Sequence, residues 1–168
     1  MTYTIPKIQK IVINSGVGKM INARKGGETT QGEEDTIKDL VSEFSLITGQ
    51  KPQILRAKKS IAGFKLRMGT ISGVRVTLRG QKMRDFLSRL VNIAFPRTRD
   101  FGGLEEKAVD KSGNITVGIR EQIIFPEIPH DKARKIWGME INIITSANNK
   151  EDGIKLLKEV GVPFRVAS

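Results

Sequence analysis

The chain has no cysteine and only one histidine, His130, among its 168 residues. The absence of cysteine excludes disulfides, thiolate metal sites and a cysteine nucleophile, and it fits a reducing compartment. No apolar run approaches the ~18 residues that a transmembrane helix needs, and residues 1–10 lack the apolar stretch of a secretory signal. We therefore expect a soluble, intracellular protein.

Residues suited to catalysis are also scarce. His130 lies in a Pro-His-Asp turn without an accompanying nucleophile, which favours a surface histidine over a general base. The segment GVGK at residues 16–19 resembles the end of a phosphate-binding loop, but Ile13 stands where that loop needs its first glycine, and Met20 replaces its hydroxyl residue. We expect a protein that is not an enzyme and that binds no metal or cofactor.

Acidic residues are missing from the middle of the chain. None occurs between Glu43 and Asp85, although the sequence has 18 acidic residues and a formal net charge of +11. Residues 51–84 contain ten basic residues, which are Lys51, Arg56, Lys58, Lys59, Lys65, Arg67, Arg75, Arg79, Lys82 and Arg84. A solubilising surface is the alternative explanation, but such surfaces usually mix both signs of charge. Clustered lysine and arginine side chains release counterions from nucleic acid when they bind it. We therefore predict a nucleic-acid-binding protein.

Aromatic residues make up only 5% of the chain, which argues against a general single-strand binder built on stacked bases. Recognition of structured RNA through its shape and backbone fits the composition better. The basic and hydroxyl side chains of residues 51–84 are of the types that contact phosphate. We predict such contacts for Lys51, Arg56, Lys58, Lys59, Ser60 and Arg75. Phe64 could stack on a base or fill the core, and the residues alone leave both roles open.

Hydrophobic periodicity predicts an α+β protein. Apolar and β-branched patterns predict strands over residues 7–14, 53–56, 63–66, 74–79, 114–119 and 140–145. Three- and four-residue spacing predicts helices over residues 37–48, 83–94 and 150–160, with Pro96 ending the second helix and Asn149 capping the third. We expect one domain over residues 1–168, with a polar inserted loop at about 22–35 and a mostly antiparallel sheet with helices packed on one face.

The strand at residues 74–79, VRVTLR, indicates that one face of the sheet stays open. Val74, Val76 and Leu78 are apolar and point to one side of the strand. Arg75, Thr77 and Arg79 point to the other side. The following helix can cover the apolar side. We therefore predict an open, basic RNA-binding face.

Seven ordered blocks of the sequence resemble a known family. They are IVINSGVG at residues 11–18, TGQKP at 48–52, RAKKSIAGFKLR at 56–67, VTLRG at 76–80, RDFGGL at 99–104, FPEI at 125–128 and GMEINIITSA at 138–147. Together they resemble the bacterial form of large-subunit ribosomal protein five, the universal L-five family. The resemblance covers nearly the whole chain.

The resemblance implies a structural protein of the ribosome's central protuberance. It implies that the open face of the sheet binds 5S rRNA and anchors it to the large subunit, and that large-subunit rRNA is also contacted. The positions that match the family's 5S contacts are Asn14, Gln50, Phe64, Thr77 and Arg79. The resemblance thereby favours RNA over the core for Phe64.

Two further partners are implied by the same resemblance. The loop between the two basic strands is similar to the one that reaches the peptidyl-site tRNA, and it comprises Lys65, Leu66, Arg67, Met68, Gly69, Thr70, Ile71, Ser72 and Gly73. The region of residues 97–110 is similar to the part that forms an intersubunit bridge with small-subunit protein thirteen. The implied location is the ribosome, in the cytoplasm or in an organelle.

Three features depart from the family pattern. Members usually carry an N-terminal helical extension, whereas this chain starts almost at its first strand. Residues 26–35, GGETTQGEED, look like an acidic insertion, which we expect to project away from RNA. Ile71 and Ser72 stand where members commonly have Pro-Ile, and loss of that proline is expected to loosen the loop.

A second class of function also fits a basic face of this kind. A free-standing RNA chaperone or translation regulator would use the same surface transiently. Stable co-sedimentation with ribosomal subunits would distinguish the structural protein from this alternative.

Overall fold

The fold comes from a computed structural model, which describes residues 5–18, 31–60, 63, 68–129, 131, 133 and 135–165. The strands within these ranges are β1 (Ile8–Gly16), β2 (Gln53–Arg56), β3 (Ile71–Leu78), β4 (Ile115–Ile119) and β5 (Met139–Thr145). They form one antiparallel sheet in the order β2-β3-β1-β5-β4. The predicted α+β class with a mostly antiparallel sheet is confirmed.

One face of this sheet is buried because apolar residues occupy alternate positions of the strands. Ile11 and Ile13 of β1 and Ile141 and Ile143 of β5 are all 0% exposed. The pairing of Ile11 with both Leu78 and Ile143 aligns the apolar positions across three strands. A slip of one residue would turn this whole set towards water, so burial fixes the register.

The helices pack on this buried face, as the sequence pattern predicted. They are α1 (Gln31–Thr48), α2 (Gly80–Arg89) and α3 (Lys150–Glu159). Phe44 of α1, Phe86 of α2 and Leu157 of α3 are at most 1% exposed and share one core with the strands. Each such burial contributes about 1.5–3 kcal/mol relative to exposure. Among the described helices, none is long and apolar enough to cross a membrane.

The second helix continues through its proline, contrary to the prediction that Pro96 ends it. After α2 the chain forms a π-helical segment, Leu90–Ala94, and then a last turn, Phe95–Arg97, that contains Pro96. The N–H of Phe95 donates to the carbonyl oxygen of Leu90, five residues back. Proline has no N–H to donate, and the wider turn before it accommodates its ring, so the helix axis continues to Arg97.

Several element boundaries differ from the sequence prediction. β1 continues to Gly16, and β3 begins at Ile71 rather than at Val74. Helix α1 includes residues 31–35, which the sequence pattern assigned to the inserted loop. Residues 22–30 of that loop and most of the strand expected at 63–66 lie outside the described residues. The elements β4, β5 and α3 agree with the prediction to within one residue at each end.

Asp110 organises the turn that leads into β4. Its carboxylate accepts hydrogen bonds from the backbone N–H of Asn114 at 2.9 Å and of Ser112 at 2.8 Å, and from Nδ2 of Asn114 at 3.0 Å. These bonds, led by that from the backbone of Asn114, favour the charged carboxylate and lower the pKa of Asp110. Because Oδ1 of Asn114 accepts from the N–H of Thr145 at 2.9 Å, the turn also joins β4 to the end of β5.

Candidate nucleic-acid interface

The other face of the sheet carries mainly polar side chains, and we call it the open face. Its residues are Gln53 of β2, Arg75 and Thr77 of β3, Lys10, Val12 and Asn14 of β1, Glu140, Asn142 and Ile144 of β5, and Thr116 and Gly118 of β4. All of them are at least partly exposed. A sheet with one packed and one accessible face is what alternating apolar and polar positions produce.

The strand register arranges the open face in rows that cross the strands. One row contains Gln53, Arg75, Asn14 and Glu140. The next row contains Thr77, Val12, Asn142 and Thr116. Two of the predicted 5S rRNA contacts, Asn14 and Thr77, therefore lie on adjacent strands of the same accessible surface.

Gln50 joins this surface because of the way helix α1 ends. Gly49 adopts φ +67° and donates its N–H to the carbonyl oxygen of Ser45 at 2.8 Å, which closes the helix. The hydroxyl of Thr48 then accepts from the N–H of Gln50 at 3.3 Å. The side chain of Gln50 donates through Nε2 to the carbonyl oxygen of Thr77 at 3.3 Å, next to the pair of Gln53 with Arg75. Its Oε1 remains available as an acceptor.

Within the described residues, the arginines on and beside the open face make few hydrogen bonds to the protein. Arg75 donates through Nη2 to Oε1 of Gln53 at 3.3 Å. Arg79 follows β3 in an extended conformation just before α2, is exposed, and makes no side-chain bond to cap the helix. Asn14 lies beside Arg75 in the sheet, and within the described ranges its side chain has no hydrogen-bond partner. Free donors at these positions can be used by a ligand.

The loop predicted to reach tRNA at residues 65–73 is shifted towards the N-terminus. Ile71, Ser72 and Gly73 belong to β3 instead of the loop. Ala57 donates its N–H to Thr70 and accepts from the N–H of Gly69, both at 2.8 Å, so the hairpin pairing extends beyond the strands. The connection between these paired residues is therefore 58–68, of which the structure describes 58–60, 63 and 68, and we call this segment the hairpin loop.

Gly73 shows why the prediction failed there. A Cβ atom at this position would lie 2.5 Å from the carbonyl oxygen of Ser15 on β1. Glycine is thus needed for the close approach of two paired strands, whereas the sequence pattern suggested a flexible loop residue.

Three of the predicted phosphate contacts lie in the hairpin loop. Lys58, Lys59 and Ser60 are exposed, but the hydroxyl of Ser60 accepts from the N–H of Met68 at 2.9 Å. At the base of the loop, Arg56 donates through Nη1 to the carbonyl oxygen of Gly69 at 3.0 Å. Ser60 and Arg56 therefore also have structural roles, whereas the two lysines are the freer cations. The predicted contact residue Lys51 is exposed at the start of β2.

Phe64, Lys65, Leu66 and Arg67 lie outside the residues that the structure describes. Met68, next to them, is 70% exposed.

The open face, predicted to be basic at Arg75, Thr77 and Arg79, also carries an acidic residue on another strand. Glu140 is exposed on β5, next to Asn14 in the same row. Asn142 and Thr116 extend a polar but uncharged surface from it towards β4. The signal was present in the sequence, because Glu140 and Asn142 alternate with apolar residues in the strand MEINIIT. Glu140 lies outside residues 44–84, the segment without acidic residues on which the prediction of a basic surface depended.

A buried polar network holds helix α1, and with it Gln50, against the rest of the fold. Oε2 of Glu43 accepts from Nε1 of Trp137 at 2.7 Å and from Nε2 of Gln122 at 3.3 Å. Gln122 is 0% exposed and accepts from the N–H of Trp137 at 2.9 Å. The ring of Phe44 stacks on Trp137 at 5.3 Å between centroids. Sequence reasoning missed this network because its members are far apart in the chain.

Comparisons with known proteins match both halves of the chain. The family model Ribosomal protein L5 matches residues 2–67, and the model of the C-terminus of the same ribosomal family matches residues 71–164. The large ribosomal subunit protein uL5 of Synechococcus sp. (strain RCC307) is 50% identical over 163 residues, which cover 97% of this chain and 86% of the relative. That of Anaeromyxobacter sp. (strain Fw109-5) is 52% identical over 160 residues, which cover 95% and 83%.

These matches confirm the resemblance stated from the seven sequence blocks. Because the family consists of structural ribosomal proteins, they also confirm the prediction that the chain is not an enzyme. The chain belongs to the ribosomal protein L5 family.

Proposed function

We propose that this protein is a structural constituent of the large ribosomal subunit and that it binds 5S rRNA with the β2–β3 side of its open face. The observation that carries the proposal is the group of accessible donors on and beside adjacent strands, Asn14, Arg75 and Arg79, on a sheet whose other face is packed. The resemblance of the sequence blocks supports 5S rRNA as the RNA. The relatives are named as large-subunit proteins, which supports the ribosomal location.

The mechanism we propose is binding by a surface that is already ordered. The strands fix the backbone of Asn14, Arg75 and Thr77, so only side chains lose freedom when RNA binds. Arginine to phosphate bonds are charge-assisted and are stronger than neutral ones. The amide of Asn14 and the hydroxyl of Thr77 suit ribose and exposed base edges, which phosphate contacts alone do not distinguish.

The start of helix α2 adds a favourable field for phosphate beside Arg79. No side chain caps this helix end, and its first turn holds no acidic residue. Unpaired N–H groups at a helix N-terminus carry partial positive charge. Together with the guanidinium of Arg79 they favour an RNA phosphate at this corner of the open face.

The hairpin loop is the element we propose for contact with the peptidyl-site tRNA. Its base is tied by the Ala57 and Arg56 hydrogen bonds, and its described end residues Lys58, Lys59 and Met68 are exposed. For the intersubunit bridge with small-subunit protein thirteen we propose the region of residues 97–110. Arg97 and Arg99 are exposed there.

Sedimentation tests the ribosomal part of the proposal and its runner-up. A tagged copy of the chain, expressed in the source organism, is followed through a sucrose gradient after a high-salt wash. We expect it to remain with the large subunit, because salt weakens phosphate attraction much more than it weakens the hydrogen bonds and packing contacts of an assembled protein. Release into the soluble fraction, with RNA binding intact, would contradict the proposal and favour the chaperone or translation regulator.

A further inference from the structure

The β4–β5 side of the open face presents hydrogen-bond acceptors where an RNA-binding surface usually presents donors. We call Thr116, Asn142 and Glu140 the acceptor patch. Oγ1 of Thr116 donates to Oδ1 of Asn142 at 2.6 Å, and Nδ2 of Asn142 donates to Oε1 of Glu140 at 3.0 Å. All three side chains are accessible.

The chemistry of Glu140 fixes the direction of this chain of bonds. A carboxylate can only accept, so the amide nitrogen of Asn142 must face it and the amide oxygen must face Thr116. The hydroxyl proton of Thr116 is then used in the bond to that oxygen. Both oxygens of Glu140 and the oxygen of Thr116 can still accept, while a single N–H of Asn142 is left to donate.

The charge of Glu140 has no ion-pair partner among the described residues. In the part of the chain that the structure describes, no lysine or arginine nitrogen lies within 4.0 Å of its carboxylate. Arg75 lies in the same row two strands away, a distance of about 10 Å at strand spacing. Its guanidinium bonds to Gln53 on the far side instead.

An acceptor patch beside bound RNA selects for particular groups of that RNA. Phosphate oxygens only accept, so a carboxylate repels them. The donors that the wide, shallow minor groove of an RNA helix displays are the ribose 2′-hydroxyl and the N2 amino group of guanine. We propose that Glu140, oriented by Asn142 and Thr116, accepts a hydrogen bond from such a minor-groove donor of the bound RNA. This inference rests on the proposed binding of 5S rRNA to the open face.

The patch would also set the orientation of the RNA. Arg75 and Arg79 attract the phosphate backbone to the β2–β3 side, and Glu140 keeps it from the β4–β5 side. A helical segment can satisfy both sides when its backbone lies along β3 and its groove faces β5. The carboxylate therefore contributes specificity, since an RNA that offers only phosphates gains nothing from it.

The substitution Glu140→Gln separates this role from simple repulsion. Glutamine has the same size, and its oxygen can keep the bond from Asn142, but it loses the charge. If Glu140 accepts from 5S rRNA, affinity for 5S rRNA should fall roughly tenfold to a hundredfold. Affinity for a scrambled hairpin RNA of equal length should rise or stay unchanged, because a repelling charge has been removed. A purely repulsive role instead predicts tighter binding to both RNAs.

The matched control is Glu159→Gln, at the exposed end of α3. It changes the net charge by the same amount away from the open face, and it should shift the affinity for both RNAs alike. Thermal unfolding of both variants checks that each is folded.

Analogue interference identifies the donor. Pools of 5S rRNA carry either 2′-deoxynucleotides or inosine, which lacks the N2 amino group, and binding is compared between wild type and Glu140→Gln. A position where 2′-deoxy substitution weakens binding to the wild type only marks a ribose donor, and one where inosine does so marks guanine. Unchanged 5S affinity of the variant, with no position of this kind, would overturn the inference. If the wild type still preferred 5S rRNA over the scrambled hairpin, the proposed function would stand and only the inference about Glu140 would fail. If the wild type showed no such preference, the proposed function itself would be refuted.

Discussion

The two sides of the open face differ in charge, and the difference follows the order of the strands. The β2–β3 side carries Arg75 and is flanked by Arg79 and the lysines of the hairpin loop, whereas the β4–β5 side carries Glu140. In the order β2-β3-β1-β5-β4, consecutive strands lie on the same side of the central strand β1. A segment of sequence without acidic residues therefore becomes a side of the sheet without acidic residues. Charge segregated along this chain is segregated in space.

The two sides also differ in how their strands are connected. The hairpin loop between β2 and β3 is exposed where it is described, with Met68 at 70% exposure. The connection between β4 and β5 instead packs Gln122 and Trp137 into the protein. The described ends of the hairpin loop on the basic side are thus accessible, whereas the connection on the acceptor side is packed against the rest of the fold.

The largest effect on binding is expected from removing Arg79. Arg79→Ala should weaken binding to 5S rRNA by about 1.5–3 kcal/mol, because the contact that we propose for this arginine is charge-assisted and alanine cannot replace it. The matched control is Arg84→Ala, which removes the same charge from the exposed surface of α2. Equilibrium binding at one salt concentration measures both variants. Wild-type affinity of Arg79→Ala would remove this residue from the site.

A pair of glycine substitutions compares the packing of the two sides. Gly73→Ala should reduce the free energy of unfolding by about 1–3 kcal/mol, because the new methyl group meets the Ser15 carbonyl oxygen at 2.5 Å. Gly118→Ala on β4 meets no atom within 4 Å and should change stability by no more than about 0.5 kcal/mol. Urea unfolding measures both. If Gly73→Ala lowered the free energy of unfolding no more than Gly118→Ala does, β1 and β3 would be able to move apart at little cost in free energy.

The lysines of the hairpin loop should act through salt dependence. Lys58→Ala or Lys59→Ala should reduce the slope of log affinity against log salt by roughly 0.7–0.9 for each phosphate that the variant no longer neutralises. Lys155→Ala, an exposed lysine on α3, is the control and should leave the slope unchanged. A titration of 5S rRNA binding against salt gives the slopes. The same slope in all variants would exclude phosphate binding by Lys58 and Lys59.

The smallest effect concerns the turn that supports the acceptor side. The pKa of Asp110 is lowered in the folded protein, so its charged form stabilises the fold above the unfolded pKa, and this contribution is lost as the pH falls through the folded pKa. Asp110→Asn should therefore cost less than about 1 kcal/mol near neutral pH and nothing in strong acid. Unfolding of wild type and variant, compared between about pH 6 and about pH 2, measures the difference. A constant difference across that range would show that the charge of Asp110 does not matter.

The sequence predicted best where a local pattern decides the structure. The alternation in VRVTLR predicted the faces of β3, and Asn149 predicted the start of α3. These features depend on side-chain spacing and on helix capping, which are visible in a few neighbouring residues.

The features that the sequence did not reveal depend on contacts between distant residues. The shift of the hairpin loop comes from the Ala57 bonds to Gly69 and Thr70, and the need for glycine at position 73 comes from Ser15 on another strand. The position of Glu140 beside Asn14 requires the strand order, which one sequence does not give. A local pattern assigns these residues to separate elements. That they lie on one surface follows only from the order of the strands in the sheet.

The central claim is that the open face recognises 5S rRNA specifically. The most direct test is equilibrium binding of the full chain, at near-physiological salt, to 5S rRNA from its source organism and to a scrambled hairpin RNA of equal length and duplex content. We predict a preference for 5S rRNA of roughly a thousandfold or more, as shape and base contacts add to phosphate attraction. Equal affinity for the two RNAs would contradict the claim and leave a protein that binds RNA by charge alone.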